Sequence, residues 1–177
     1  MIIWISGKSC SGKSLLAKHL LKKIRDKKKK IVHIDGDDIR KITGNFDYSN
    51  KGRYKNANYI SQFVQFLDKN KIHALVSAIS KFPIFLNLNR KNIKQYFHIF
   101  IKVKKDILYK RDNKKVYFNK KKKNKNVVGE DITFRTPQNC DLIIENNAGK
   151  KKFLDNINKI LKNKKVSFNT WNKKIIR

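Results

Sequence analysis

Apolar and polar positions alternate along this chain in blocks of two lengths. Ile2, Ile3, Trp4 and Ile5 form a short apolar run that reads as a buried strand over about 2–6. After a polar stretch, Leu15, Leu16, Leu20, Leu21 and Ile24 recur at helical spacing and predict a helix over 13–25. Ile31 to Ile34, apolar except for His33, predicts a second strand. Ala57, Ile60, Phe63, Val64 and Leu67 give the stripe of a helix over 53–69. Strands follow at 72–79 and 96–103, with a short helix at 89–94 after the break expected at Pro83. A helix starts at Lys105, Leu142 to Ile144 predict a fifth strand, and Phe153, Leu154, Ile157, Ile160 and Leu161 mark the last helix. Residues 43–55 are rich in turn formers and predict a loop. Lys27 to Lys30 form a solvated charge run, and the Lys- and Asn-rich stretch 118–130 is too polar for core and reads as a mobile flap.

Strands alternating with helices imply an α/β fold, a three-layer αβα sandwich on a five-stranded parallel sheet joined by right-handed crossovers. Ligands of such sheets lie across the carboxyl ends of the strands. The length of 177 residues fits one domain over 1–164, with a lid at about 112–130 and a tail over 165–177.

Charge changes the picture less than its size suggests. Lys and Arg number 44 and Asp and Glu 13, a net +31. Basic residues are scattered along the whole chain and Asn fills many other polar positions, which is the pattern of compositional drift. A nucleic-acid surface is the competing reading. Cys10 and Cys140 make neither a disulfide framework nor a metal-ligand spacing, so a reducing, cytoplasmic setting is expected. No apolar run approaches a membrane span. His19, His33, His73 and His98 sit within helix or strand patterns and read as structural.

The chemistry is concentrated after the first strand. Gly7-Lys8-Ser9-Cys10-Ser11-Gly12-Lys13-Ser14 fits the P-loop pattern, in the strand–loop–helix setting that the pattern requires. Backbone N–H groups and the helix N-terminus converge there on phosphate. Gly7 and Gly12 permit a path that a Cβ would block. Lys13 would reach the β- and γ-phosphates of ATP, and Ser14 would hold Mg²⁺. The second strand ends in Asp35-Gly36-Asp37-Asp38, carboxylates where a ligand would lie; a helix N-cap is the plainer role for one of them. A small P-loop domain with carboxylates and arginines nearby suits phosphoryl transfer to a small molecule. Asp35 or Asp37 would position the nucleophile, and Arg40, Arg53 and Arg111 would supply cations.

The ordered set of motifs resembles the adenylylsulfate kinases. It runs from Ile3-Trp4-Ile5-Ser6-Gly7 through Asp35-Gly36-Asp37 with Arg40, Tyr48-Ser49 with Arg53 and Asn56, Ile79-Ser80, and Arg111-Asp112-Asn113-Lys114 with Tyr117. The resemblance implies transfer of the γ-phosphoryl group of ATP to the 3′-hydroxyl of adenosine 5′-phosphosulfate. It implies that Asp37 accepts or positions the hydroxyl proton and that Asp35 supports the metal shell. It implies that Arg40, Arg53 and Asn56 hold the phosphosulfate and ribose, that Tyr48 stacks on the adenine, and that Ile79, Ser80, Lys114 and Gly129 complete the acceptor site. A homodimer is also implied. The chain departs from the family pattern at Cys10 and Lys115, which stand at usual glycines, at Lys81-Phe82-Pro83 after Ser80, and at Glu130 in place of an aromatic. Two other readings remain open: a P-loop kinase of another hydroxyl, such as a nucleoside or a nucleic-acid 5′-hydroxyl, and a basic nucleic-acid-binding protein with a vestigial P-loop. A polyanion binder would gain nothing from Asp35 and Asp37 in its cleft.

Overall fold

The computed structural model describes residues 1–25, 31–112, 115–117 and 126–168. Their order is β1 (Ile2–Ser6), α1 (Lys13–Arg25), β2 (Ile31–Asp35), α2 (Gly36–Ile42), α3 (Asn50–Lys69), β3 (His73–Ala78), α4 (Pro83–Asn92), β4 (Tyr96–Lys102), α5 (Lys105–Lys110), β5 (Leu142–Glu145), α6 (Lys150–Leu154) and α7 (Asn156–Lys162). The five strands form one sheet in the order β2-β3-β1-β4-β5, and every pairing is parallel.

Alternation along β1 sorts the core into two layers, because successive strand side chains point to opposite faces. Ile3 and Ile5 join Leu16, Leu20 and Ile24 of α1 and Phe153, Ile157 and Ile160 of α6 and α7. Ile2 and Trp4 join Ile39 of α2, Ile60, Val64 and Leu67 of α3 and Leu86 of α4. β1 is central and buried throughout, so the loop that follows it starts from the most constrained point of the sheet.

The structure corrects several element limits. α3 begins at Asn50 within the expected loop, because Ser49 caps it by accepting the Gly52 N–H. Residues 36–42, where the apolar pattern predicts no element, form α2, with Asp35 as its N-cap accepting from the Asp37 N–H. Pro83 does not break a helix but starts α4, where its missing N–H costs nothing; the helix runs over 83–92 in place of 89–94. The last helix is two, divided at Asp155. Strand β3 ends at Ala78, so Ile79 and Ser80 lie just beyond it. The charge run 27–30, residues 118–125 of the expected flap and tail residues 169–177 lie outside the described residues. Of the rest of that flap, Val127 and Val128 are buried, which places this end of it in the fold. At the start of the tail, Lys165 bonds Asp141 at 2.9 Å, and Val166 and Phe168 pack against the α1-side core.

Candidate functional site

The carboxyl ends of β1, β2 and β3 open into a cleft of about 920 Å³. It is lined on one side by Ser9, Cys10, Gly12, Lys13 and Ser14, and on the other by Asp37, Arg40, Tyr48, Arg53, Asn56, Ile79 and Ser80; Asp35 and Arg111 also reach it. Gly7, Lys8, Ser11 and Gly129 are not among its lining residues. Gly7 and Ser11 are buried behind the loop. Gly129 adjoins the Lys8 side chain, where an added Cβ would come within 2.8 Å of Cε. Lys114 lies outside the described residues.

The phosphate-loop wall is built largely on the main chain. Gly7 (φ +153°) and Gly12 (φ +97°) take conformations that suit glycine, and a Cβ on Gly7 would meet the Ile101 carbonyl oxygen at 2.8 Å. Lys13 Nζ donates to the Lys8 carbonyl at 2.7 Å, arching over the loop. Asn146, just past β5, donates from Nδ2 to the Ser11 carbonyl at 2.9 Å. Its own carbonyl accepts from Arg111 at 2.9 Å, and the Ala148 carbonyl accepts from the same guanidinium at 3.1 Å. Asn146 carried no motif signal and is found only by the fold. Cys10 has φ 59°, so the residue that replaces a glycine sits in the left-handed region, as does Lys115 at φ 50°. That conformation costs a residue with a Cβ on the order of 1 kcal/mol. The Cys10 thiol lies 3.7 Å from Asp112 Oδ1, and burial pushes its pKa up. Asp112 accepts from the Val116 and Tyr117 N–H groups, both at 2.7 Å. The Tyr117 hydroxyl donates to the Ser9 carbonyl at 3.2 Å.

Where the two walls meet, Asp35 joins three elements. Its Oδ2 accepts from Ser14 Oγ at 2.8 Å and from Ser77 Oγ at 2.7 Å, and its Oδ1 accepts the Asp37 N–H at 3.0 Å. Burial alone would raise its pKa; these hydrogen bonds outweigh burial and hold the carboxyl below its ordinary value. The side chain that caps α2 thus also reaches the cleft. A hydroxyl and a carboxylate 2.8 Å apart are hard oxygen donors that fit Mg²⁺, which keeps several waters and takes its other ligands from phosphate. Ser14, with Asp35 behind it, would hold the ion, which would screen the phosphate charge when bound.

The opposite wall is made of long side chains. Arg40, 5% exposed, donates through one nitrogen to the carbonyls of Asn45 and Asp47, both at 2.9 Å, and so ties down the loop after α2. Its guanidinium lies 4.5 Å from the centre of the Tyr48 ring, and that of Arg53 lies 5.5 Å away. Arg53 donates to the Tyr48 carbonyl at 2.9 Å and to the Asn126 carbonyl at 2.8 Å, bridging α3 to the flap end. Burial and the neighbouring Arg40 lower the Arg53 pKa. Asn56 donates to the Gly36 carbonyl at 3.3 Å, and Ser80 Oγ accepts from the Trp4 indole at 2.6 Å. Asp37 is exposed to the cleft on this wall. Glu130 accepts from Lys105 at 2.8 Å. Chemically, cations and N–H donors face a carboxylate across a gap of nucleotide size, which suits in-line transfer of a phosphoryl group. No helix among the described residues is long and apolar enough to cross a membrane.

Comparison with known proteins agrees with this chemistry. The family model described as adenylylsulphate kinase matches residues 1–145. A cytidine diphosphoramidate kinase of Campylobacter jejuni is 36% identical over 148 residues, which cover 83% of this chain and 86% of that protein. A probable adenylyl-sulfate kinase of Archaeoglobus fulgidus is 27% identical, with 81% and 94% covered. Among solved structures, the Mycobacterium tuberculosis APS kinase in complex with AMPPNP and APS superposes with a TM-score of 0.80 at 24% identity, covering 90% of this chain and 94% of that one.

Proposed function

The chain belongs to the adenylylsulphate kinase family of ATP-dependent phosphotransferases, and from that premise we propose that it phosphorylates a ribose hydroxyl of a nucleotide whose 5′-phosphate carries a second small group. The observation that carries this reading is the opposition, across one cleft, of Lys13 and Ser14 to Asp37, Arg40, Arg53 and Asn56. ATP would lie along the loop with its γ-phosphoryl group between Lys13 and the metal held at Ser14. Arg111, fixed by two carbonyls, would flank the ATP, and Asp37 would take or orient the acceptor hydroxyl proton. Arg40 and Arg53 would face the anionic 5′ end, with Tyr48 and Ser80 beside it. In-line transfer needs positioning and charge stabilisation and no covalent intermediate.

Two acceptors fit this class. Adenosine 5′-phosphosulfate is the one implied by the ordered motifs, and its product would be 3′-phosphoadenosine 5′-phosphosulfate, the activated form of sulfate. Cytidine diphosphoramidate is favoured by a separate observation: the relative named for it is 36% identical, against 27% for the archaeal adenylyl-sulfate kinase. Glu130, which stands where the family pattern has an aromatic, is held by Lys105 and does not line the cleft, so it offers no wall for adenine. ADP release measured with ATP and Mg²⁺ against each acceptor, beside adenosine and a 5′-hydroxyl oligonucleotide, tests the reading. Turnover with one of the two nucleotides alone names the acceptor; turnover only with adenosine or the oligonucleotide would reject the class. The homodimer expected above is a proposal for sedimentation analysis on the same preparation.

A further inference from the structure

Behind Asp35 lies a chain of hydrogen bonds that the phosphate-loop motif does not account for. Ser77 sits on β3 beside Asp35 of β2, the two being register partners, and is 2% exposed. Its hydroxyl donates to Asp35 Oδ2 at 2.7 Å. His33 Nε2 lies 3.1 Å from the same Ser77 Oγ. A serine hydroxyl has one proton, and an ionised carboxylate can only accept. The Ser77 proton therefore goes to Asp35, Ser77 Oγ faces His33 as an acceptor, and His33 must carry its proton on Nε2. Proton direction is fixed along the whole line, from His33 to Ser77 to Asp35.

The other end of the line is Ser14. Its hydroxyl donates to the same Oδ2 at 2.8 Å, so that oxygen accepts two hydroxyl protons while Oδ1 accepts the Asp37 N–H. With its proton committed to Asp35, Ser14 Oγ has only lone pairs left for the cleft. A metal ion needs lone pairs and is repelled by a hydroxyl proton. We propose that Ser77 and His33 are positioning residues for the metal–nucleotide site: they fix the Asp35 carboxylate so that Ser14 presents lone pairs to the ion. The resulting order is one ligand, Ser14, backed by Asp35, which is in turn backed by Ser77 and His33. A group that directly orients a metal ligand, here Asp35, typically alters metal affinity by about 10- to 100-fold when removed, so Ser77 and His33, further out, act at the lower end of that range.

The inference rests on the reading of the cleft as a Mg²⁺–nucleotide site, but not on which acceptor is used. Its test is therefore made without acceptor. ADP binding is measured by titration calorimetry with and without Mg²⁺ for the native chain, Ser77→Ala, His33→Ala and His33→Gln. The quantity read is the factor by which Mg²⁺ tightens ADP. Ser77→Ala and His33→Ala should each reduce that factor about tenfold and leave Mg²⁺-free binding within twofold. His33→Gln, which keeps a side-chain N–H donor, should restore most of it. A factor unchanged within twofold in both alanine variants would overturn the proposal, as would equal losses with and without Mg²⁺. His33 is half-buried, so the His33 pair carries the decision should Ser77→Ala fail to fold. If the native chain bound ADP without any effect of Mg²⁺, the reading of the cleft itself would fall.

Discussion

The two walls of the cleft are built by different means. The phosphate-loop wall is held by contacts that fix the loop's own main chain, with Lys13 on the Lys8 carbonyl and Asn146 on the Ser11 carbonyl, and by the short bond of Ser14 to Asp35. The opposite wall is held by two arginines that reach from α2 and α3 to loop carbonyls and frame the Tyr48 ring. The first wall can change little without altering the path of the backbone after β1. The second can be altered one side chain at a time on an unchanged scaffold. A family that keeps its donor and varies its acceptor would be expected to vary there, and Lys81 and Phe82, which line that side, depart from the family pattern.

Substitutions can break or sharpen this contrast. Lys13→Ala should have the largest effect, removing the cation on the transferring group and lowering turnover below detection with the fold retained by circular dichroism. Residual turnover within tenfold would remove the loop wall from the chemistry. Asp37→Asn should lower kcat by about 10²-fold or more if it takes or orients the proton; a change under threefold would return it to the N-terminal turn of α2. Arg53→Ala should act on one wall only, raising the acceptor KM about tenfold while the ATP KM stays within twofold. Equal shifts in both would show that the walls are not separable.

A fourth test concerns stability at the root of the loop wall. His98 is buried and lies 2.7 Å from Ser6 Oγ, immediately before the loop. Burial first, then Arg90, lowers its pKa to about 4, with Asp141 opposing. The unfolded chain takes up this proton near pH 6.5 and the folded one only near 4, so stability falls as pH drops through that window. The loss should approach ~3 kcal/mol at pH 4. Denaturant unfolding at pH 7 and pH 4.5 should show it as the difference between the native chain and His98→Asn, because the buried Met1 ammonium, lowered to about 5, adds its own loss over the same window in both. The smallest effect is expected at Cys10, where glycine would relieve the left-handed strain but loosen the unfolded chain. Cys10→Gly should raise stability by less than about 1 kcal/mol. A clear loss would mean that the thiol contacts to Ser9 and Asp112 outweigh the strain.

How much of this was legible in sequence differs between the walls for the same reason. The strands and α1 were readable because their apolar periodicity is set by burial in a central sheet, as at Ile3, Ile5, Leu16 and Leu20. The loop's glycines were readable because the turn demands them. The start of α3 was hidden because the turn formers Ser49, Asn50 and Gly52 serve equally as a loop and as a cap and first turn. Pro83 misled in the same manner, since a proline ends one helix pattern and begins another. Asn146, Ser77 and His33 were invisible as a group because their roles depend on strand neighbours distant in sequence. The resemblance gathered the acceptor-side residues, yet the loop contacts of Arg40 and Arg53 came from the fold alone.

The bond from Asn146 to the Ser11 carbonyl has a consequence for how the protein is made. Asn146 follows β5, the last strand and an edge of the sheet, while the loop it supports lies 135 positions earlier. A chain emerging from the ribosome presents its phosphate loop well before β5 and lacks this support until β5 has been synthesised and has paired with β4. Nascent chains halted before that point would carry the full Gly7–Ser14 motif on an unbraced loop. Nucleotide bound to the braced loop can therefore help to hold the protein together only after β5 has joined the sheet.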